Sequence, residues 1–465
     1  MRRVIQFVLI GLLICCWTWV LYACRKETNQ ADYKDQFGKE NLTLINKDSI
    51  DGGGQDFVGL IIEGGLTDPD QIVPPEIDLI SIDNIITTPE TVNLNCSAVS
   101  NNVLLEYLGL NPGILPDNTD PFLFTRGVWI YGGTNADIYP VLGLGLPANQ
   151  TEFSPYLYCF KDTLLYLILR NPAINDEKIR DQDAILRSLK NLKRLDLQTA
   201  SIVTIPSVFN DLTELTHLDI SRSVSDQSAN LRGLGTLKSI TLQYLNINYT
   251  GVQKIDSLNN YALETLLAKQ NGLYAEDNLI SFIQSTRQLT KLDLSENSLD
   301  GTQLAGILDQ ISSNIQYLDL SENYSNNNNT YQFTSNHLQN LRYLDLSETK
   351  LLGFSDAFYT LKNIEALYLA NNDFSLSVLN KITDNIERLT KLRVLDLRNT
   401  NIQEISQKIC TLGTQNDKVK IYLSSAEKNQ ILQTWAGGIP TNCYVEFIDT
   451  KHVKKSFTDI KTFKR

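Results

Sequence analysis

From about residue 164 onward the chain repeats itself. The pattern L-x-x-L-x-L-x-x-N-x-L starts at Leu164, Leu192, Leu215, Leu237, Leu263, Leu289, Ile315, Leu341, Ile364 and Leu392. The mean spacing of these starts is about 25 residues, and the four spacings from Leu237 to Leu341 are each 26. Apolar residues alternate with period two in the L-x-L core, which marks short strands and excludes an array of amphipathic helices. A single coil of this kind cannot bury its own leucines. Stacked coils align their strands into a parallel sheet and merge the leucines into one spine, each buried Leu or Ile contributing roughly 1.5–3 kcal/mol.

The motif resembles the leucine-rich-repeat family over residues 161–412. The resemblance implies an α/β solenoid with a parallel β-sheet on the concave face and short helices or turns on the convex face. It also implies that the Asn side chain sits inside the turn and bonds the backbone of adjacent coils. Asn271, Asn297, Asn323 and Asn372 occupy that place, with Ser223, Thr349 and Thr400 as smaller substitutes. Pro172, Ala200 and Leu245 cannot serve there, so the first four coils are expected to be less regular. Residues 202–212 read as a tight connection, and 275–285 and 302–312 as short helices. An open coil end exposes leucines, so residues 413–465 are read as a cap and basic tail. Strands are expected at 418–423 and 443–448, with a capping box from Ser424 to Glu427 between them. The tail from Lys451 reads either as a solvated segment or as a contact for anionic headgroups.

The N-terminus is organised differently. Arg2 and Arg3 precede an apolar run, Val4 to Val20, and Leu21-Tyr22-Ala23-Cys24 follows. This resembles a bacterial lipoprotein signal, as in a Bacteroidetes-like surface lipoprotein. The resemblance implies cleavage after residue 23 and lipid attachment at Cys24, with an ordinary signal peptide or an uncleaved anchor as alternatives. Arg25 stands where an Asp often signals inner-membrane retention, which favours the outer membrane by the same resemblance. Residues 24–55 are polar and end in a triple glycine, so they read as a tether.

Residues 56–160 hold short β-type runs, Val128–Tyr131 among them, between Pro and Gly turns. They form either a small, mostly β domain or an elaborate N-terminal cap, and residues 105–115 also fit a degenerate coil. Once the signal and Cys24 are set aside, Cys96, Cys159, Cys410 and Cys443 remain. Four cysteines allow three connectivities. The pairs Cys96–Cys159 and Cys410–Cys443 are favoured because each closes one end of the chain, with four free thiols as the alternative. No C-x-x-C occurs.

Composition narrows the function. Forty-one basic against 53 acidic residues give −12, a charge that repels phosphate backbones and argues against nucleic acid. With only three histidines, and without G-x-S-x-G, H-E-x-x-H or a phosphate loop, neither catalysis, a metal nor a cofactor is expected. His217 beside Asp219 is a weak dyad without a nucleophile.

Function then belongs to the outward positions of the strands: Ile168, Asp196, Asp219, Thr241, Leu267, Asp293, Asp319, Asp345, Tyr368 and Asp396. Neighbouring carboxylates about 4.8 Å apart repel by about 1 kcal/mol in water, so a cation has to offset them, and Lys291 does part of this. The Asp row is either repeat grammar or a site, and the tyrosines either sheet filler or a recognition surface. The patch singled out is Tyr317, Asp319, Tyr343, Asp345 and Tyr368, flanked by Asp293, with Glu322 and Glu348 at its rim. The expected activity is non-enzymatic recognition of a protein or glycan partner by a lipid-anchored cell-envelope protein. The alternatives are a structural or adhesive surface protein, and a hydrolase with its site in residues 56–160.

Overall fold

The computed structural model describes residue 96 and residues 99–449, short internal stretches excepted, of which 223–229, 256–261 and 324–329 are the longest. The signal at 1–23, Cys24, the stretch 24–55, residues 56–95, Ser223 and the basic tail from Lys451 lie outside the described residues.

The architecture is an α/β solenoid built on one 14-stranded sheet. Its first two strands, Gly127–Ile130 and Val141–Gly145, pair antiparallel. Every later strand joins in parallel and in chain order: Tyr166–Ile168, Arg194–Asp196, His217–Asp219, Tyr244–Asn246, Thr265–Leu267, Lys291–Asp293, Tyr317–Asp319, Tyr343–Asp345, Ala366–Tyr368, Val394–Asp396, Val419–Leu423 and Cys443–Phe447. Coils are numbered here from one, at Leu164, to ten, at Leu392. Leu294, Leu320 and Leu346 sit in neighbouring rungs with no exposed surface, as the apolar spine requires.

The fourth coil starts at Leu242 rather than Leu237. Its strand is Tyr244–Asn246, so the outward residue between the core positions is Asn246 and not Thr241. Leu245 is a buried spine residue, and Thr250 takes the ninth place, donating its hydroxyl to the Ile247 carbonyl at 2.8 Å. In coil one, Asn171 does one residue early what Pro172 cannot. Its amide donates to the Ala148 carbonyl at 2.5 Å and its oxygen accepts from the Ala173 N–H at 2.7 Å.

Further along, the asparagines form a ladder. Asn297 accepts from the N–H groups of Asn271 and Leu273 at 3.1 and 3.0 Å, and donates to the carbonyls of Ala268, Leu294 and Ser295 at 3.0, 2.9 and 3.1 Å. One side chain thereby satisfies buried backbone groups of two coils. Thr349 and Thr400 donate to the carbonyl of their own coil, at Leu346 and Leu397, both at 2.7 Å, and Thr349 also accepts from the Tyr331 hydroxyl at 2.9 Å. The capping-box Glu427 closes the ladder, accepting from the N–H of Thr400 at 3.0 Å and of Ser424 at 2.9 Å.

Helices Asp277–Ser285, Gly301–Gln310 and Leu376–Asn385 lie between strands, as do short 3-10 turns such as Ser207–Asp211. A second, two-stranded parallel sheet pairs Tyr331–Phe333 with Leu351–Phe354. No helix of the described residues is long and apolar enough to cross a membrane.

At the N-terminal end, the start of the 105–115 stretch belongs to the helix Asn101–Tyr107, in which Leu104 and Leu105 are buried, and not to a coil strand. The described part of this region continues the solenoid sheet through Val141–Gly145, which pairs directly with coil one. Gly145 is required there, since a Cβ would lie 2.6 Å from the Arg126 backbone. Disulfides join Cys96 to Cys159 and Cys410 to Cys443.

Candidate functional site

Six coils enter the turn by the same local device, and Asn246 repeats it in coil four. The aspartate in the strand accepts from the N–H of the residue two positions on. In Asp219, Asp293 and Asp319 the same oxygen also takes the hydroxyl of Ser221, Ser295 and Ser321, each at 2.7 Å. Half of each of these carboxylates therefore serves the turn, which explains why the residue recurs. The residue after the serine position adopts the left-handed backbone region in nine coils, from Thr199 (φ 71°) through Glu322 and Glu348 (both 55°) to Asn399 (54°). These side chains form the rim. Asn371 donates to Glu348 Oε1 and Asn399 to Asn371 Oδ1, both at 2.8 Å.

Register brings the singled-out residues together in two rows. Tyr317 lies opposite Tyr343, and Asp293, Asp319 and Asp345 follow one another across three strands. Tyr368 continues the aspartate row, opposite Asp345, rather than the tyrosine row. The rings of Tyr317 and Tyr343 stack at 4.2 Å and 10°, and Tyr343 meets Tyr368 at 5.3 Å. The Lys291 ammonium lies 4.5 Å from the centre of the Tyr317 ring. Burial, then the nearby Tyr317, Asp345 and Asp319, raises the Tyr343 phenol well above its ordinary pKa, so it stays neutral.

The patch is less open than alternation alone suggests. Tyr343, Asp345 and Tyr368 are buried, as are Asp319 and Glu348, while Tyr317, Asp293 and Glu322 are half-buried. At the far end of this face Asp396 forms a fully buried two-point pair with Arg398, at 2.9 and 2.8 Å.

A second polar cluster occupies coils one to four, and sequence reading did not assemble it. Asp196 accepts two bonds from Arg170, at 3.0 and 2.6 Å, and one from Arg194 at 2.8 Å. Burial works to raise its carboxyl, but the two arginines outweigh it and hold Asp196 below the usual carboxylate range. One strand on, burial and the charge of Asp196 push Asp219 up to about 6. Asn246 donates to Asp219 Oδ2 at 2.9 Å.

His217 does not pair with Asp219. Its Nδ1 bonds the Thr216 hydroxyl at 2.8 Å, and its ring lies between Phe122, at 4.2 Å, and Tyr244, at 5.5 Å. Burial, then Arg194, lowers it to about 3, so it is neutral near pH 7. Phe122 and Phe124 come from the segment before the first strand and reach over coils one to three. Phe124 also accepts a bond from Arg194 on its carbonyl at 3.2 Å. Phe122 and Phe124 thus cover the start of the concave face. Among the described residues no group of three or more His, Cys, Asp or Glu is arranged to hold a metal ion.

No protein-family model matches the chain. No curated protein matches it either. Solved structures similar to it include the functional domain of InlJ from Listeria monocytogenes, at 15% identity and TM-score 0.38, covering 64% of this chain and 62% of that one. The chain therefore spans less than two thirds of that domain. A leucine-rich-repeat protein of Leptospira interrogans is 18% identical with TM-score 0.42, covering 79% of this chain and 98% of that one. The plant peptide hormone receptor RGFR1 in complex with RGF2 is 17% identical with TM-score 0.34, covering 59% and 54%. What the chain has in common with them is the leucine-rich-repeat fold, which its own coils carry independently.

Proposed function

We propose that this chain is a non-enzymatic recognition module that binds a protein partner along the concave face of coils six to nine. The observation that carries this reading is the pair of in-register rows, stacked Tyr317 and Tyr343 beside Asp293, Asp319 and Asp345, on the side of the sheet opposite the leucine spine. Stiff aromatic area with adjacent fixed acceptors is what recognition surfaces use. The half-buried Tyr317, Asp293 and Glu322 are the natural first points of contact. A hydroxyl-rich glycan meets the same requirements and is the second ligand class. The L-Y-A-C sequence at residues 21–24 supports a lipid on Cys24 and a place in the cell envelope, in the outer membrane by resemblance.

A photoreactive side chain placed at Tyr317 in the full chain tests the reading against one placed at Leu352, which is 41% exposed away from these rows. The expectation is an envelope partner cross-linked from position 317 and not from 352. Equal cross-linking from both sites refutes it. Palmitate labelling that persists in Cys24→Ser refutes the anchor. The structural or adhesive reading has its own support, since the row aspartates already serve their turns and Tyr444, 48% exposed, stands on the last strand. Assembly of the pure chain without a partner would favour it.

A further inference from the structure

Ser347 breaks a pattern. The serine two residues after the row aspartate donates its hydroxyl to that aspartate in coils three, six and seven. Ser347, in coil eight, keeps the backbone half of the arrangement, its N–H donating to Asp345 Oδ1 at 2.9 Å. Its Oγ has no hydrogen-bond partner, although the residue is only 3% exposed. A buried hydroxyl is costly to leave unpaired, so a position that departs from its three equivalents in this way points to a missing donor or acceptor.

Charge says which kind of group is missing. Across coils five to eight the concave rows and rim carry six carboxylates, from Asp293 to Glu348, and two lysines, Lys269 and Lys291. Both lysines are engaged. Lys269 pairs with Glu296 at 2.6 Å, and Lys291 sits over the Tyr317 ring beside Asp293. The second arrangement is an internal example of an ammonium set against a tyrosine face on a strand that also carries a row carboxylate. One coil further Tyr343 and Asp319 hold the corresponding places, and Asp345 and then Ser347 follow Tyr343 along its own strand.

We propose that the concave face of coils seven and eight takes the ammonium of a lysine side chain from an extended lysine-rich peptide, the side chains over the buried Ser347 and Asp345 moving aside so that the nitrogen donates to Ser347 Oγ and to the Asp345 carboxylate. The proposal rests on the concave face being the recognition surface. A lysine suits the place better than an arginine, because a compact ammonium on a flexible stem reaches a buried hydroxyl, whereas a guanidinium needs a planar two-point partner. The apolar stem lies along the stacked tyrosines. Asp293 and Asp345 are two strand spacings apart, about 10 Å, which is also the span of about three extended residues. A second lysine three positions from the first therefore meets the Asp293 end.

The test is fluorescence anisotropy of the full chain with labelled Gly/Ser peptides carrying two lysines three residues apart, two adjacent lysines, or two glutamines. The spaced-lysine peptide should bind at least about fivefold more tightly than either of the others, and less tightly as salt rises. Ser347→Ala should weaken it by about fivefold or more while the thermal midpoint stays level or rises, since the variant removes an unpaired buried hydroxyl. Unchanged affinity in Ser347→Ala overturns the proposal, as does equal binding of the three peptides. Equal competition by spermidine assigns the site to a free polyamine and overturns the peptide assignment. If no peptide binds while position 317 still cross-links a partner, the ammonium assignment falls and the recognition reading stands; if cross-linking fails too, both fall.

Discussion

Replacing Asn297 by alanine should be among the most damaging single changes in the solenoid. The side chain makes five buried bonds, two as acceptor and three as donor. Its removal leaves the N–H groups of Asn271 and Leu273 without that acceptor. At about 1–3 kcal/mol for each buried group left unpaired, with partial relief from entering water, the expected loss is about 3–5 kcal/mol. The chain supplies its own calibration. Threonine at the same place in coils four, eight and ten bonds its own-coil carbonyl, so Asn297→Thr should keep the bond to Leu294 and recover about 1 kcal/mol relative to alanine. Urea denaturation measures the total, and amide hydrogen exchange should show protection lost first at residues 271 and 273. A cost below about 1 kcal/mol, or unchanged exchange at those two amides, would refute the ladder as a source of stability.

Three further outcomes are expected. Asp219 is held at about 6 in the fold, above the ordinary carboxylate value, so the folded state binds its proton more tightly than the unfolded chain. Stability from this group is therefore full at low pH and falls as pH rises towards 6, by at most about 3 kcal/mol. Asp219→Asn should accordingly gain on the wild type between pH 4 and pH 7 in parallel denaturant titrations, and a pH-independent difference would count against it. Thr199, β-branched and at φ 71°, is strained, and Thr199→Gly should raise stability by about 0.5–1 kcal/mol net of the entropy glycine adds to the unfolded chain, a loss being the contrary result. Removing the Cys410–Cys443 bond, which spans 33 residues, with paired alanines should cost about 3–4 kcal/mol, read by calorimetry, whereas an unshifted transition would show that the bond contributes little.

The spine was legible because each coil needs the same few leucines, and period two distinguishes a strand from a helix. The fourth coil was misread for a specific reason. LKSITLQYLNI holds two overlapping matches, one from Leu237 and one from Leu242, and both satisfy the apolar pattern. The ninth residue separates them: the first match puts Leu245 there, the second Thr250, and only a polar side chain can serve the turn. The coil opened by Val141-x-x-Leu144-x-Leu146 was missed because it begins with valine and carries glycine at both outward positions, so it read as turn-rich.

At the site, alternation told which side chains share a face but not how deeply they lie. The stacked tyrosines follow from register and were recoverable. The Asp196–Arg170–Arg194 cluster was not, because it depends on side-chain reach across coils and on a cap segment some 70 residues away in sequence.

The two disulfides change where the molecule comes apart. A linear stack held by nearest-neighbour contacts normally frays from its ends, where each rung has one neighbour instead of two. Here a covalent tie lies at either end of the stack, Cys96–Cys159 before the first coil and Cys410–Cys443 between the tenth coil and the last strand. Opening should then begin in the interior, where the rungs are least well tied. Coil two, with Ala200 in place of asparagine, and coils four and eight, with Thr250 and Thr349, lack the full set of asparagine bonds, so heat or force should open the stack at one of these before either end unravels.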